Sequence, residues 1–174
     1  EKVDANLSMQ VEEQCMDMAT LTAYLRARPN EDKRRTKHYE GKETPTRLTQ
    51  QYIKLAEHLA VVFNKPMVDS VSMRIFLKVA MDTSFGPSLK VVQWLCSRNH
   101  SGEDVTFQES SGIPTRTMCA WLGMTNDKGT NYLSFLRKLG VLSLRQTGQT
   151  GESWFLTERI HNLFLKVLGD IHAI

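Results

Sequence analysis

The sequence predicts a mostly α-helical protein with one small β-hairpin near its C-terminal end. Three observations carry that expectation. Apolar residues recur at spacings of three and four in segment after segment, the period of a helix with one buried face. Two shorter helical patterns meet across a Gly-containing turn at 122–125. Directly after them, strand-like runs at 141–145 and 153–157 flank the flexible loop QTGQTGE.

A chain of 174 residues, 41% of them apolar, suits one domain or one domain with an appendage. It opens on Glu1 rather than Met, as a processed or partial copy would. No run of apolar residues is long enough to span a bilayer, and no secretory signal opens the sequence. The three cysteines, Cys15, Cys96 and Cys119, are far apart and lack any Cys-x-x-Cys or Cys/His grouping. That pattern indicates neither a zinc site nor a disulfide framework. Cys96 and Cys119 are expected as small buried hydrophobes in a protein of the reducing cytoplasm. Nothing points to an enzyme: there is no Ser-His-Asp order, no phosphate-cradling glycine loop and no paired-carboxylate motif. The histidines His38, His58, His100, His161 and His172 are scattered. No catalytic residue, cofactor or metal is therefore expected.

A net charge of +3 is too small to prove a nucleic-acid partner, but its distribution is uneven. Residues 1–32 carry the acids Glu1, Asp4, Glu12, Glu13, Asp17, Glu31 and Asp32 against Lys2, Arg26 and Arg28. Residues 33–47 reverse the sign, with Lys33, Arg34, Arg35, Lys37, Lys42 and Arg47 against Glu40 and Glu43. This basic stretch is either a solvated linker or an arm that touches phosphates.

Taken in order, Val11, Cys15, Met18, Thr22 and Leu25 form one stripe of an N-terminal helix spanning 1–28, ended by Pro29. That apolar face needs a partner, either another protein subunit or the chain's own core. Residues 29–46 read as a charged linker, and 47–174 as the main domain. Within it, Leu48, Tyr52, Leu55, Leu59 and Val62 mark a helix closed by Pro66. Asp69 caps the next, whose expected face is Val71, Ile75, Phe76 and Val79. A third starts near Pro87 and turns Leu89, Val92 and Cys96 inward. Met73, Phe76, Trp94 and Cys96 are expected as ordinary core residues rather than as the lining of a small-molecule cleft. A connection at 100–116 has room for a short strand at 105–107. The last helix starts from Thr157 and carries Ile160, Leu163, Phe164, Val167, Leu168 and Ile171 on one stripe.

The segment from 115 to 157 carries the functional expectation. A short helix presents Met118, Trp121 and Leu122 as its apolar face, and Gly123 stops it in a left-handed conformation. Thr125 is placed to cap the following helix by accepting a hydrogen bond from 126–128. That helix covers 126–139, directs Leu133, Leu136 and Leu139 to the core, and ends at Gly140. Two helices across such a turn form a helix-turn-helix, and the hairpin at 142–156 forms a wing.

The stretch WLGMTNDKGTNYLSFLRKLGVL resembles the winged helix-turn-helix of bacterial transcription regulators. Leu122, Gly123, Met124, Thr125, Leu133, Leu136, Gly140, Val141 and Leu142 stand in that family's register. Gly129 departs from it, standing where the family has a branched apolar residue. Glycine there is expected to cost about 1 kcal/mol relative to Ala and to leave a packing knob missing. The order of flanking helices is similar to the MarR-type arrangement, in which terminal helices interlock to make a homodimer.

The resemblance implies a cytoplasmic, homodimeric, sequence-specific regulator of transcription that binds double-stranded DNA, with helix 126–139 in the major groove and the wing on the adjacent backbone. Its readers are Asn126, Asp127, Lys128, Thr130, Asn131, Ser134 and Lys138, with Thr125 at the helix start. Arg116, Thr117 and Arg137 are placed to anchor phosphates, and Arg145 is the one base on the wing, beside Gln146, Thr147, Gln149 and Thr150. Asp127 would repel phosphate. Two other functions fit the same module: a plasmid or phage replication or partition factor, and a protein-interaction adaptor that uses the N-terminal helix and wing.

Overall fold

The structure, a computed structural model, describes residues 9–27, 43–84, 86–97, 112–146 and 151–172, the side chains of Ser97 and of 168–172 excepted. It is mostly helical, with one three-stranded antiparallel sheet. The chain divides into two compact units, Gly86–Asn162 and the residues on either side of it.

The first unit holds α1 (Met9–Leu25), α2 (Pro45–Val62), α3 (Ser70–Asp82) and the later turns of α7 (Glu158–His172). The α1 stripe is buried as expected: Val11, Cys15, Met18, Thr22 and Leu25 are all covered. Its partners are α2 and α3 of the same chain. Both α1 and α2 turn alanines inward, Ala19 and Ala23 on one and Ala56 and Ala60 on the other. Those alanines displace the expected α2 stripe. Leu48 and Tyr52 are buried, but the face continues through Ala56 and Ala60, leaving Leu55 and Leu59 half-covered and Val62 75% exposed. Tyr52 donates a buried hydrogen bond to Thr22 Oγ1 (3.0 Å) and meets Phe76 edge-on at 5.2 Å.

Asp69 caps α3 as anticipated, accepting from the Ser72 N–H (2.9 Å) and hydroxyl (2.8 Å). Those two bonds, with Lys65 close by, hold its carboxyl below the ordinary range. The α3 face differs from the expected one. Met73, Phe76, Leu77 and Ala80 are buried, whereas Val71 and Val79 are exposed. Apolar residues lie all around this helix, so spacing alone allowed either side; packing against α1 and α2 selects the one bearing Phe76.

The second unit runs α4 (Gly86–Ser97), β1 (Ile113–Pro114), α5 (Thr115–Trp121), α6 (Asn126–Lys138), β2 (Leu142–Gln146) and β3 (Glu152–Leu156), then the first turn of α7. In α4, Val91, Val92, Leu95 and Cys96 are buried, and Leu89 is half-covered. The strand order is β1-β3-β2, with Leu142 opposite Leu156, Leu144 opposite Trp154, and Ile113 opposite Trp154 on the other side. Alternation puts these residues on one face, where all but the half-covered Leu144 are buried. β1 was not anticipated; a two-residue edge strand ending in Pro leaves no alternation to read. The strand expected at 105–107 lies outside the described residues, as do the linker and basic arm between 28 and 42.

Ile160, Phe164 and Val167 of α7 are buried as expected, and Leu163 is half-covered. Leu168 and Ile171 lie outside the described side chains. Lys166 joins α7 to α1, pairing with Glu13 (2.7 Å) and Asp17 (2.6 Å). Its hydrogen bonds to these carboxylates raise the Lys166 pKa, and the Glu13 carboxyl is lowered in turn. Among the described residues, no helix is long and apolar enough to cross a membrane.

Candidate nucleic-acid interface

The α5–turn–α6 segment is set by two glycines in the left-handed region, Gly123 (φ 66°) and Gly140 (φ 77°). At the end of α5, the Gly123 N–H reaches the Ala120 carbonyl (3.1 Å) and the Met124 N–H the Cys119 carbonyl (3.0 Å). The same pair of bonds closes α6, from Gly140 to Arg137 and from Val141 to Leu136, both 2.9 Å. Both ends are Schellman motifs, which satisfy the last carbonyls and turn the chain sharply. Thr125 occupies the N-cap position of α6, but its side chain makes no capping bond. The extended backbone at Thr125 and the bond from the Gly129 N–H to its carbonyl (2.8 Å) start the helix instead.

Gly129 fills no gap because there is none. A Cβ placed on it would overlap the Cys119 sulfur, and the Cys119 Cβ is only 3.0 Å away. The knob missing from α6 is supplied by α5, so the expected packing defect does not exist. The Cys119 thiol lies 3.9 Å from the Asn126 carbonyl, and burial raises its pKa. Burial pushes the thiols of Cys15 and Cys96 up to about 12.

Gly129, Tyr132, Leu133 and Leu136 form the buried side of α6, and Leu139, just past its end, is half-covered. Tyr132 shares a buried hydrogen bond with Ser88 of α4 (2.6 Å); burial pushes its phenol up to about 12, and the Ser88 bond offsets part of that rise. The opposite side carries the anticipated residues: Asn126, Asp127, Lys128, Thr130, Asn131, Arg137 and Lys138 are exposed, and Ser134 is half-exposed. Thr125, and Arg116 and Thr117 at the start of α5, are exposed as well. Among the described residues no ion pair engages Arg116, Asp127, Lys128, Arg137 or Lys138.

The hairpin is anchored to both helices. Trp154 donates its indole N–H to the Thr115 hydroxyl (2.8 Å), and the Thr157 hydroxyl donates to the Gly140 carbonyl (2.7 Å). Arg145 is exposed, with its guanidinium 5.2 Å from the Phe155 ring centre, a cation–π arrangement. Gln146 is exposed on the same strand, while Thr147, Gln149 and Thr150 lie outside the described residues. Trp121, expected in the core, is 42% exposed and stacks on Trp94 of α4, with ring centres 4.5 Å apart and planes 10° from parallel. Met118 and Cys119 take the inward positions of α5 instead. Trp121 was missed because a three-residue spacing from Met118 reads as core; a seven-residue helix has too few turns to distinguish that from a flank. Among the described residues, no three His, Cys, Asp or Glu side chains converge to hold a metal ion. Comparison with protein-family models, with curated proteins and with solved structures returned no match.

Proposed function

We propose that the protein is a sequence-specific regulator that binds double-stranded DNA as a homodimer, through a winged helix-turn-helix made of α4 to β3. The observation that carries this reading is the outward side of α6. It presents amide and hydroxyl side chains, and cations that make no ion pair among the described residues, on a helix whose other side buries Gly129, Tyr132, Leu133 and Leu136. The element order in Gly86–Asn162 supports it, since the hairpin follows α6 directly and joins β1 in one sheet. In this reading α6 enters the major groove, where Asn126, Thr130, Asn131, Ser134 and Lys138 meet base edges. Arg116, Thr117, Thr125, Lys128, Arg137 and Arg145 hold phosphates.

The homodimer rests on the terminal helices. Met9 and Met16, seven residues apart on one face of α1, are 83% and 52% exposed and offer apolar area to a second copy. A cytoplasmic location fits a reader of DNA. An adaptor reading draws support from the Trp94–Trp121 stack, in which Trp121 is exposed and Trp94 half-buried, since aromatic residues are frequent anchors of protein contacts.

Selection from random duplexes with the full chain tests the proposal. The expected result is enrichment of a two-fold repeated site, bound more weakly as salt rises, by a particle of twice the chain mass in sedimentation. No enrichment and no salt-sensitive duplex binding would reject it in favour of the adaptor.

A further inference from the structure

The charge pattern across α6 is ordered. The buried residues Gly129, Tyr132, Leu133 and Leu136 define the inward direction. At ~100° per residue, Asp127 and Lys138 lie within about 10° of the opposite direction, and Asn131 and Ser134 within about 30°. Lys128 and Arg137 stand about 90° away, one on each flank. An acid therefore occupies the central line of the outward side near the helix start and Lys138 the same line at the helix end, with Lys128 on one flank near the start and Arg137 on the other near the end. Asp127 is exposed, and among the described residues no cation engages it.

We infer that Asp127 is a specificity-determining residue that selects a cytosine by accepting a hydrogen bond from its 4-amino group; the inference rests on the DNA-binding reading proposed above. In a major groove the two walls are phosphate and the floor is base edges. Cations on the flanks meet the walls, and the central line meets the floor. A carboxylate there is repelled by guanine N7 and O6 and by thymine O4. Adenine offers its amino group only beside the N7 acceptor. Cytosine alone presents an amino donor with no neighbouring acceptor on the same base. The negative charge that weakens general attraction to DNA thus serves discrimination. Asn131, one turn further along the same line, is suited to an adenine next in the site.

The experiment compares the full chain with Asp127→Asn and Asp127→Ala in selections from random duplexes, followed by binding to single-base-pair variants of the enriched site. The position is exposed, so thermal unfolding should show both variants folded. The wild type is expected to prefer C·G at one pair by about fivefold to tenfold, the low end of what one base contact supplies. Asp127→Ala should lose that preference while the other positions hold, and Asp127→Asn should move it toward adenine. Both should also bind unrelated duplex more tightly, having lost a charge that repels phosphate. If the variants enrich the same site with an unchanged preference at every pair, the inference fails and the DNA-binding reading stands. If the wild type binds no duplex in a salt-dependent way, both fail together.

Discussion

At the scale of single residues, Gly129 and Cys119 show how a departure from a familiar pattern is absorbed. The sulfur of Cys119 occupies the place of the side chain that Gly129 lacks. Gly129→Val should therefore overpack the α5–α6 contact and destabilise the protein by about 1–3 kcal/mol, measured by urea unfolding. Gly129→Ala should be damaging alone and less so with Cys119→Ala, giving a non-additive pair. Relief will be partial, because the Cys119 Cβ at 3.0 Å remains. Simple additivity would mean that the two positions do not share one space. The sequence shows the glycine but not its compensation, since a residue ten positions away becomes a neighbour only when both helices are in place. Thr125 teaches a related lesson. Its place at the start of α6 was legible from residue type, whereas the absence of its side-chain bond was not.

At the scale of elements, helix positions were legible and helix faces less so. The α7 stripe stood out because polar residues border it, and the α1 stripe because Glu12, Glu13 and Asp17 border its first half; the second half of α1 is buried nearly all round. On α3, nearly every turn is apolar, and on α2 alanine competes with leucine, so the buried side depended on the neighbouring helices. The Ser88–Tyr132 bond is another contact that no local spacing reveals, since it joins α4 to α6. Tyr132→Phe should cost about 1–3 kcal/mol by leaving the Ser88 hydroxyl buried without its partner. Adding Ser88→Ala should return most of that loss. The same tyrosine predicts a pH effect. Its folded pKa is raised to about 12, so its contribution is fully present below the ordinary phenol range. It is lost as pH climbs from about 10, the unfolded value, to the folded one. Alkaline titration of stability should show this component in the wild type, and Tyr132→Phe should lack it.

At the scale of the whole molecule, net charge conceals arrangement. The cations Arg116, Lys128, Arg137, Lys138 and Arg145 all fall in α5, α6 and β2. Each phosphate contact contributes about 0.9 to the slope of log affinity against log salt. Arg137→Ala is expected to lower that slope by about one, with little change in sequence preference; an unchanged slope would mean that Arg137 does not touch phosphate. The helix-turn-helix spacing and the hairpin were readable along the chain because they are local. The division into two units was not, because it depends on α7 reaching back to α1 through Lys166. That division has a spectroscopic consequence. All three tryptophans, Trp94, Trp121 and Trp154, belong to the unit Gly86–Asn162, as does Tyr132, whereas Tyr24 and Tyr52 belong to the other. Emission excited at the red edge of the indole band therefore reports on one unit alone. The parallel Trp94–Trp121 pair adds a coupled signal in near-ultraviolet circular dichroism that survives only while α4 and α5 stay packed. The protein needs no attached label for the unit Gly86–Asn162 to be followed by itself.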